Sequence, residues 1–197
     1  MSKYDMARDR PDDFQTNPWA LDVLMPHLNS EWTVWECAAG KGNLVHGLCE
    51  RGQERVIASD ILPTERIGGV MRWQRNFVED LAYQFGFDMI LTNPPYTLKD
   101  EFLARCYEIG KPFALLLPLT ALEGQVRQRL YKEHGLEIVF LPKRPEFETP
   151  SGKNSGSWFA AAWFTNGLNI GQQLTFNPPT GGAARSRVVE AQARLPL

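Results

Sequence analysis

Residues Ile90 to Asp100 read ILTNPPYTLKD. An apolar run stops at Asn93-Pro94-Pro95-Tyr96. Two consecutive prolines remove two backbone donors and stiffen the chain, so a strand cannot continue past them. Asn93 is therefore held at a fixed place on a sheet edge. Its amide oxygen and the carbonyl of Pro94 can both face outward as acceptors. Two acceptors aimed at one spot suit a planar amine whose lone pair is delocalised. Accepting its N–H hydrogens draws the nitrogen toward tetrahedral geometry, frees the lone pair for attack and stabilises the positive charge that develops. Tyr96 adds a flat face for a planar substrate. The bland alternative is a turn with a packed tyrosine. The chain carries its own control, because Asn177-Pro178-Pro179 ends in Thr180 within a Gly/Ala/Arg-rich flank. That copy is read as a loop without chemistry.

A second group is WECAAGKGN, Trp35 to Asn43. Small residues and two glycines after a strand let the backbone pass close to a ligand, and the next helix offers free N–H groups there. Asp60 ends the following strand. An acid so placed can accept from both hydroxyls of a ribose, which points to an adenosine-like ligand. A glycine turn with a capping Asp is the structural alternative. A phosphate loop fits poorly, since no Ser or Thr follows Gly40-Lys41.

These residues need elements to position them. Residues 1–17 read as a polar loop. Leu21, Leu24, Met25 and Leu28 recur at helical spacing from Pro18 to Leu28, with Asn17 as cap. Strands are predicted at 33–37, 55–59, 69–75, 87–92, 113–118, 136–141 and 157–164. Helices are predicted from Leu44 to about Arg51, at 99–109 and at 121–134. The tail from Asn177 is expected to be loose. Alternating strands and helices predict an α/β fold, a mostly parallel sheet with helices on both faces. In such sheets ligands collect at the carboxyl ends of the strands, where Glu36 to Gly42, Asp60 and Asn93 to Tyr96 fall.

At these residues the sequence resembles the S-adenosylmethionine-dependent amino-methyltransferases of the N6-adenine type. It is especially similar to short phage and prophage proteins of this kind. DDFQTNPWALDVL, WECAAGKGNL, TNPPYTLKDEFL and SGSWFAAAWF carry the resemblance, over about residues 12–168. The resemblance implies a Rossmann-like fold of seven strands with the last, SWFAAAWF, antiparallel. Taken with the composition, the expected division is an N-terminal loop (1–17) that starts the cofactor motif, a catalytic domain (18–176) and a flexible tail (177–197). The resemblance implies that Phe14, Thr16 and Pro18 help hold the methionine part of S-adenosylmethionine. Glu36, Ala38, Gly40 and Gly42 form the glycine motif, and Asp60 is the ribose acid. Asn76-Phe77 stands where an acid and an apolar residue contact the cofactor's adenine, with Phe102 packed nearby. Asn93, Pro94, Pro95 and Tyr96 are the catalytic motif, Tyr96 also holding the target base. Cys37 replaces a frequent proline and Asn76 replaces an acid.

The implied activity is methyl transfer to the exocyclic N6 of adenine in DNA. RNA adenine and protein glutamine are alternative targets, and a non-catalytic nucleic-acid-binding module is a third reading. No sizeable recognition domain is expected after Tyr96. A base inside a duplex cannot reach such a site, so DNA must be flipped or single-stranded.

Bulk properties narrow the partners. The 197 residues are 43% hydrophobic, enough for one core, and the formal charge is -2. No global basic field is available, so a polyanion needs a local patch. The expected patch is PKRPEFETPSGKNSGSW, a substrate-side loop with Lys143, Arg144 and Lys153, of which Arg144 and Lys153 are the expected phosphate contacts; a solvated loop is the alternative reading. RQRLYK (127–132) reads better as a solvated helix face. Phe147 and Trp158 are either stacking residues or core. No long apolar run or leader is seen, so a cytoplasmic protein of a bacterial host or phage-infected cell is expected, without membrane contact. Three scattered cysteines and three histidines form no metal or disulfide pattern. Cys106 is expected in the core.

Overall fold

Val34 and Trp35 are neighbours in the chain, yet each belongs to a different hydrophobic core. The same alternation recurs at Met89 and Ile90, Leu115 and Leu116, and Trp163 and Phe164. Period-two alternation between two apolar layers is what a sheet covered on both faces requires.

A computed structural model describes residues 15–80, 85–148, 154–156, 159–170 and 174–176. In chain order its elements are β1 (Gln15–Thr16), β2 (Val34–Glu36), α1 (Asn43–Glu50), β3 (Val56–Asp60), β4 (Glu65–Ile67), β5 (Val70–Gln74) and β6 (Met89–Thr92). Then come α2 (Lys99–Ile109), β7 (Phe113–Pro118), α3 (Gln125–His134), β8 (Glu137–Phe140), β9 (Glu146–Glu148), β10 (Asn154–Gly156), β11 (Ala161–Asn166) and β12 (Leu174–Phe176).

The main sheet has nine strands in the order β12-β8-β11-β7-β6-β2-β3-β5-β4. Seven of them correspond to the strands expected from the sequence, the last spanning Ala161–Asn166 where 157–164 was expected. β11 is antiparallel to β7 and β8, as the resemblance implies. Two short edge strands were not expected: β4, antiparallel to β5, and β12, parallel to β8. Both are three residues long, too short to leave a periodic signal. A second, three-stranded sheet joins β1, β9 and β10.

One face of the sheet carries Leu44 and Leu48 of α1 and the N-terminal residues Ala20, Leu21 and Leu24. The other carries Phe102, Leu103 and Cys106 of α2, with Leu130 and Tyr131 of α3 at its margin. Trp163, fully buried, donates from Nε1 to the carbonyl of Ala20 at 2.7 Å. Trp35, also fully buried, donates to Ser59 Oγ at 2.8 Å. Both indoles therefore bury their large apolar area without stranding a donor.

Three local expectations are corrected. The helix expected over 18–28 is two 3-10 turns, Pro18–Leu21 and Met25–His27. Pro26 lacks the N–H that an α-helical ladder needs there. Asn17 does cap the first turn, accepting from the Trp19 N–H at 3.2 Å. The helix expected from Ala121 starts at Gln125, because Gly124 stands at φ +95° and separates it from a 3-10 turn at Leu119–Leu122. Gln15 and Thr16, expected in a loop, pair with Glu148 and Phe147. Phe14, Lys153, Trp158 and the tail from Asn177 lie outside the described residues.

Candidate active site at the carboxyl edge of the sheet

β2, β3, β5 and β6 are parallel neighbours or next neighbours, so their carboxyl ends lie on one edge. Glu36, Asp60, Gln74 and Thr92 end them. The glycine loop, Asn76-Phe77 and Asn93 to Tyr96 follow directly from these strand ends.

The loop after β2 is bound tightly to the strands beside it. Ala39 N–H donates to the Ser59 carbonyl at 3.0 Å, and Gly42 N–H to Ala39 at 2.7 Å. Gly40 is held at both of its backbone groups. Its N–H donates to Asp60 Oδ2 at 2.8 Å, and its carbonyl accepts from Arg72 Nη1. Gly42 caps α1 in the left-handed region at φ +91°. A Cβ there would lie 3.0 Å from both Cβ and Cδ1 of Ile67. Only glycine meets both demands.

Arg72 was not foreseen as part of the site. It lies on β5, is 3% exposed, and also donates to the Pro63 carbonyl at 2.9 Å while pairing with Glu65 Oε1 at 2.9 Å. It thereby ties the glycine loop to the loop after Asp60. A lone arginine within a strand pattern was the available signal, since a charge at an inward position must find partners.

Asp60 is 8% exposed. Besides Gly40, it accepts the Leu62 N–H through Oδ1 at 3.0 Å. An ionised carboxylate has about four acceptor sites, so two remain for further donors. Glu36 is 1% exposed and accepts the Ala38 N–H through Oε1 at 3.1 Å. Its Oε2 has no close hydrogen-bond partner among the described residues. Burial pushes this carboxyl up to about 8; the nearby Thr92 hydroxyl and the Ala38 N–H draw it back, and the Asp60 charge adds to the rise.

A small cleft, about 50 Å³, opens beside Asp60. Cys37, Ala38, Asn76, Phe77, Pro95 and Phe102 line it, with Ile61 and Leu98. Phe77 and Phe102 stack with ring centroids 4.9 Å apart. Five residues expected around an adenosine are thus brought together: Ala38, Asp60, Asn76, Phe77 and Phe102. Asn76 also has a local duty. Its Oδ1 accepts the Val78 N–H at 3.2 Å, and its Nδ2 donates to Glu79 Oε2 at 2.9 Å.

Pro95 joins this cleft to the Asn-Pro-Pro-Tyr segment, which leaves β6 at Thr92 and enters a 3-10 turn at Tyr96–Leu98. The turn closes when Leu98 N–H donates to the Pro95 carbonyl at 2.9 Å. Asn93 Nδ2 donates to Thr16 Oγ1 at 2.8 Å. The amide oxygen therefore occupies the opposite end of the side chain. Tyr96 meets Phe159 edge-on, with centroids 5.5 Å apart. Phe159 was read only as part of a strand, but it precedes β11 and packs beside the motif.

Lys143 and Arg144 are both exposed, and Lys143 Nζ lies 4.9 Å from the centroid of the Trp19 ring. This places Lys143 beside the turn that follows Thr16 and Pro18. In RQRLYK, Arg127 pairs with Asp100 and donates to the Ala121 carbonyl, while Arg129 and Lys132 face solvent. Cys37 and Cys106 are buried, and burial raises both thiols. His134 stacks on Tyr107 at 4.9 Å. Among the described residues no cluster of His, Cys, Asp or Glu could hold a metal, and no helix is long and apolar enough to cross a membrane.

The strand order with an antiparallel β11, and a cleft at the carboxyl edge, define the Rossmann-like fold of S-adenosylmethionine-dependent methyltransferases. Similar solved structures include the methyltransferase subunit of a type I restriction-modification system from Streptococcus thermophilus. It is 17% identical with a TM-score of 0.56, over 87% of this chain and 48% of that one. A dimethyladenosine transferase from Plasmodium falciparum is 16% identical, with a TM-score of 0.51 over 77% of this chain and 62% of that one. The type IIG restriction endonuclease BpuSI is 16% identical, with a TM-score of 0.51 over 81% of this chain and 26% of that one. The chain spans about half the length of the type I subunit. At such identities the likeness establishes the fold. No family model matches the sequence, and no curated protein matches it.

Proposed function

We propose that this chain is an S-adenosylmethionine-dependent methyltransferase that modifies the N6 amine of adenine in DNA. The observation that carries the reading is the place of Asn93-Pro94-Pro95-Tyr96. The motif leaves β6 directly at the carboxyl edge, and Pro95 is itself a wall of the cleft beside Asp60. A target amine held by Asn93 therefore lies next to whatever fills that cleft.

The residues present fit the cofactor. Asp60 retains acceptor capacity for ribose hydroxyls, and Phe77 and Phe102 form an apolar stack for a purine. The Glu36 Oε2 atom, buried and without a close partner among the described residues, suits an ammonium group. Pro18, Ala38, Gly40 and Gly42 complete the assignment, and Asn76 offers its amide to the adenine edge. When bound, S-adenosylmethionine supplies an electrophilic methyl group on a sulfonium. Asn93 accepts from the target amine and stabilises the charge that forms on its nitrogen. Tyr96, steadied by Phe159, provides the flat surface for the base, and Lys143 and Arg144 meet phosphates.

The type I and type IIG neighbours are named for restriction-modification, which supports DNA as the substrate. The dimethyladenosine transferase keeps RNA adenine as the second reading. The test is incubation with tritiated cofactor and, in parallel, double-stranded DNA, single-stranded DNA, tRNA and total protein, followed by digestion. N6-methyladenine in DNA is the expected product. Label confined to RNA or glutamine overturns the substrate, and no label in any arm overturns the enzyme.

A further inference from the structure

We infer that Thr16 is a positioning residue for Asn93, setting the orientation of its amide toward the target amine. The inference rests on the methyltransferase reading above for its kinetic part, and on geometry alone for the rest.

An asparagine amide has two unlike ends. The oxygen accepts from an amine; the –NH₂ end opposes it, donor against donor. Rotation by half a turn about the last side-chain bond exchanges them. Asn93 Nδ2 donates to Thr16 Oγ1 at 2.8 Å, across 77 positions of chain, and this contact anchors the nitrogen end. Thr16 is 3% exposed, so the bond is sheltered from competing water.

Thr16 is itself fixed from a distant part of the chain. It is half of the two-residue strand β1, and it pairs with Phe147 of β9. β9 pairs in turn with β10. The segment that contains Lys143 and Arg144 leads straight into β9. Thus one strand pairing and one side-chain hydrogen bond separate the proposed phosphate-binding segment from the catalytic amide. The role differs from the cofactor contact that the family resemblance implies for Thr16, and the two make opposite kinetic demands.

Thr16→Val keeps the side-chain shape and removes the acceptor; Thr16→Ser restores it. The expected result for Thr16→Val is a fall in kcat of roughly 10- to 100-fold, with the cofactor Kd unchanged within about twofold. Thr16→Ser should recover most of the rate. A hydroxyl that served the cofactor would instead raise the Kd and leave kcat nearly intact, and that outcome overturns the proposal. The second readout needs no turnover. In ¹⁵N-labelled protein the Asn93 side-chain –NH₂ resonances should move, and exchange faster with solvent, in Thr16→Val but not in Thr16→Ser. If the wild type methylates nothing, the function proposed above fails and this arm decides alone: moved resonances uphold the Thr16–Asn93 link, unmoved ones overturn it.

Discussion

The ring of Tyr96 meets that of Phe159 edge-on, at an interplanar angle of 72°. The two aromatics come from positions 63 apart in the chain, and their contact fixes the plane of the tyrosine beside Asn93. Phe159→Ala removes this support. Single-stranded DNA should bind about tenfold more weakly, in line with the worth of one base–aromatic contact. Cofactor affinity should stay unchanged, because Phe159 is not a wall of the cofactor cleft. Fluorescence anisotropy and calorimetry measure the two.

Asn93→Ala should lower kcat by at least about 100-fold, the scale seen when one preorganised polar contact to a transition state is lost. Cofactor Kd should change little, since Asn93 acts on the amine. Full turnover in this variant would remove the basis of the proposed mechanism.

Asp60 holds Gly40 and Leu62 through separate oxygens. Asp60→Ala strands two backbone donors, so stability should drop by about 1–3 kcal/mol. Cofactor binding should weaken further than that loss accounts for. Asp60→Asn, which keeps one acceptor oxygen, should fall between the two. Urea melts and calorimetry on the same samples separate the effects.

Gly42→Ala forces a side chain into the left-handed region and against Ile67. The strain is about 1–3 kcal/mol. It should appear as a lower urea midpoint and weaker cofactor binding together, whereas Gly52→Ala, strained at φ +84° but with open space around its Cβ, should lower stability alone.

Glu36 predicts a pH dependence. Its folded pKa, about 8, lies above the ordinary value of 4.5. The folded protein therefore retains a proton that the unfolded chain releases. The stabilisation is complete below the unfolded value and is lost as pH rises through about 8. Between pH 5 and 8.5 the cofactor-free protein should lose a few kcal/mol, of order 4 at most for a group so buried. Glu36→Gln, which does not titrate, should lose less over the same range. Equal slopes for both proteins in urea melts would rule this origin out.

Much of this arrangement was legible in the sequence because it depends on local pattern. The apolar run from Phe113 to Pro118 is a strand over the residues expected, and α2 spans Lys99–Ile109 as its spacing predicts. Asp60, Asn76, Phe77 and Phe102 were placed by strand ends and by resemblance, and they share one cleft. What escaped depends on distant pairing. β1 exists only because β9 lies beside it, and nothing within Gln15–Thr16 announces that. Arg72 looks like any charged strand residue until its partners at Gly40 and Pro63 are seen. The helix expected over 18–28 failed for a local reason, because Pro26 was outweighed by the spacing of leucines.

The position of β11 between β7 and β8 also governs how the protein can be made. Both hydrogen-bonded neighbours of β8, β11 and β12, come after it in the chain. A ribosome that has delivered β8 has delivered a strand with nowhere to go, while β7 still shows an open edge. Ala114 and Leu116 wait uncovered until Trp163 arrives to seal their layer. The gap between β7 and β8 is therefore filled only once Ala161–Asn166 is available, so this half of the sheet depends on pairings made late in the chain. A nascent chain stalled before Ala161 presents that edge to its neighbours and is a natural client for a chaperone.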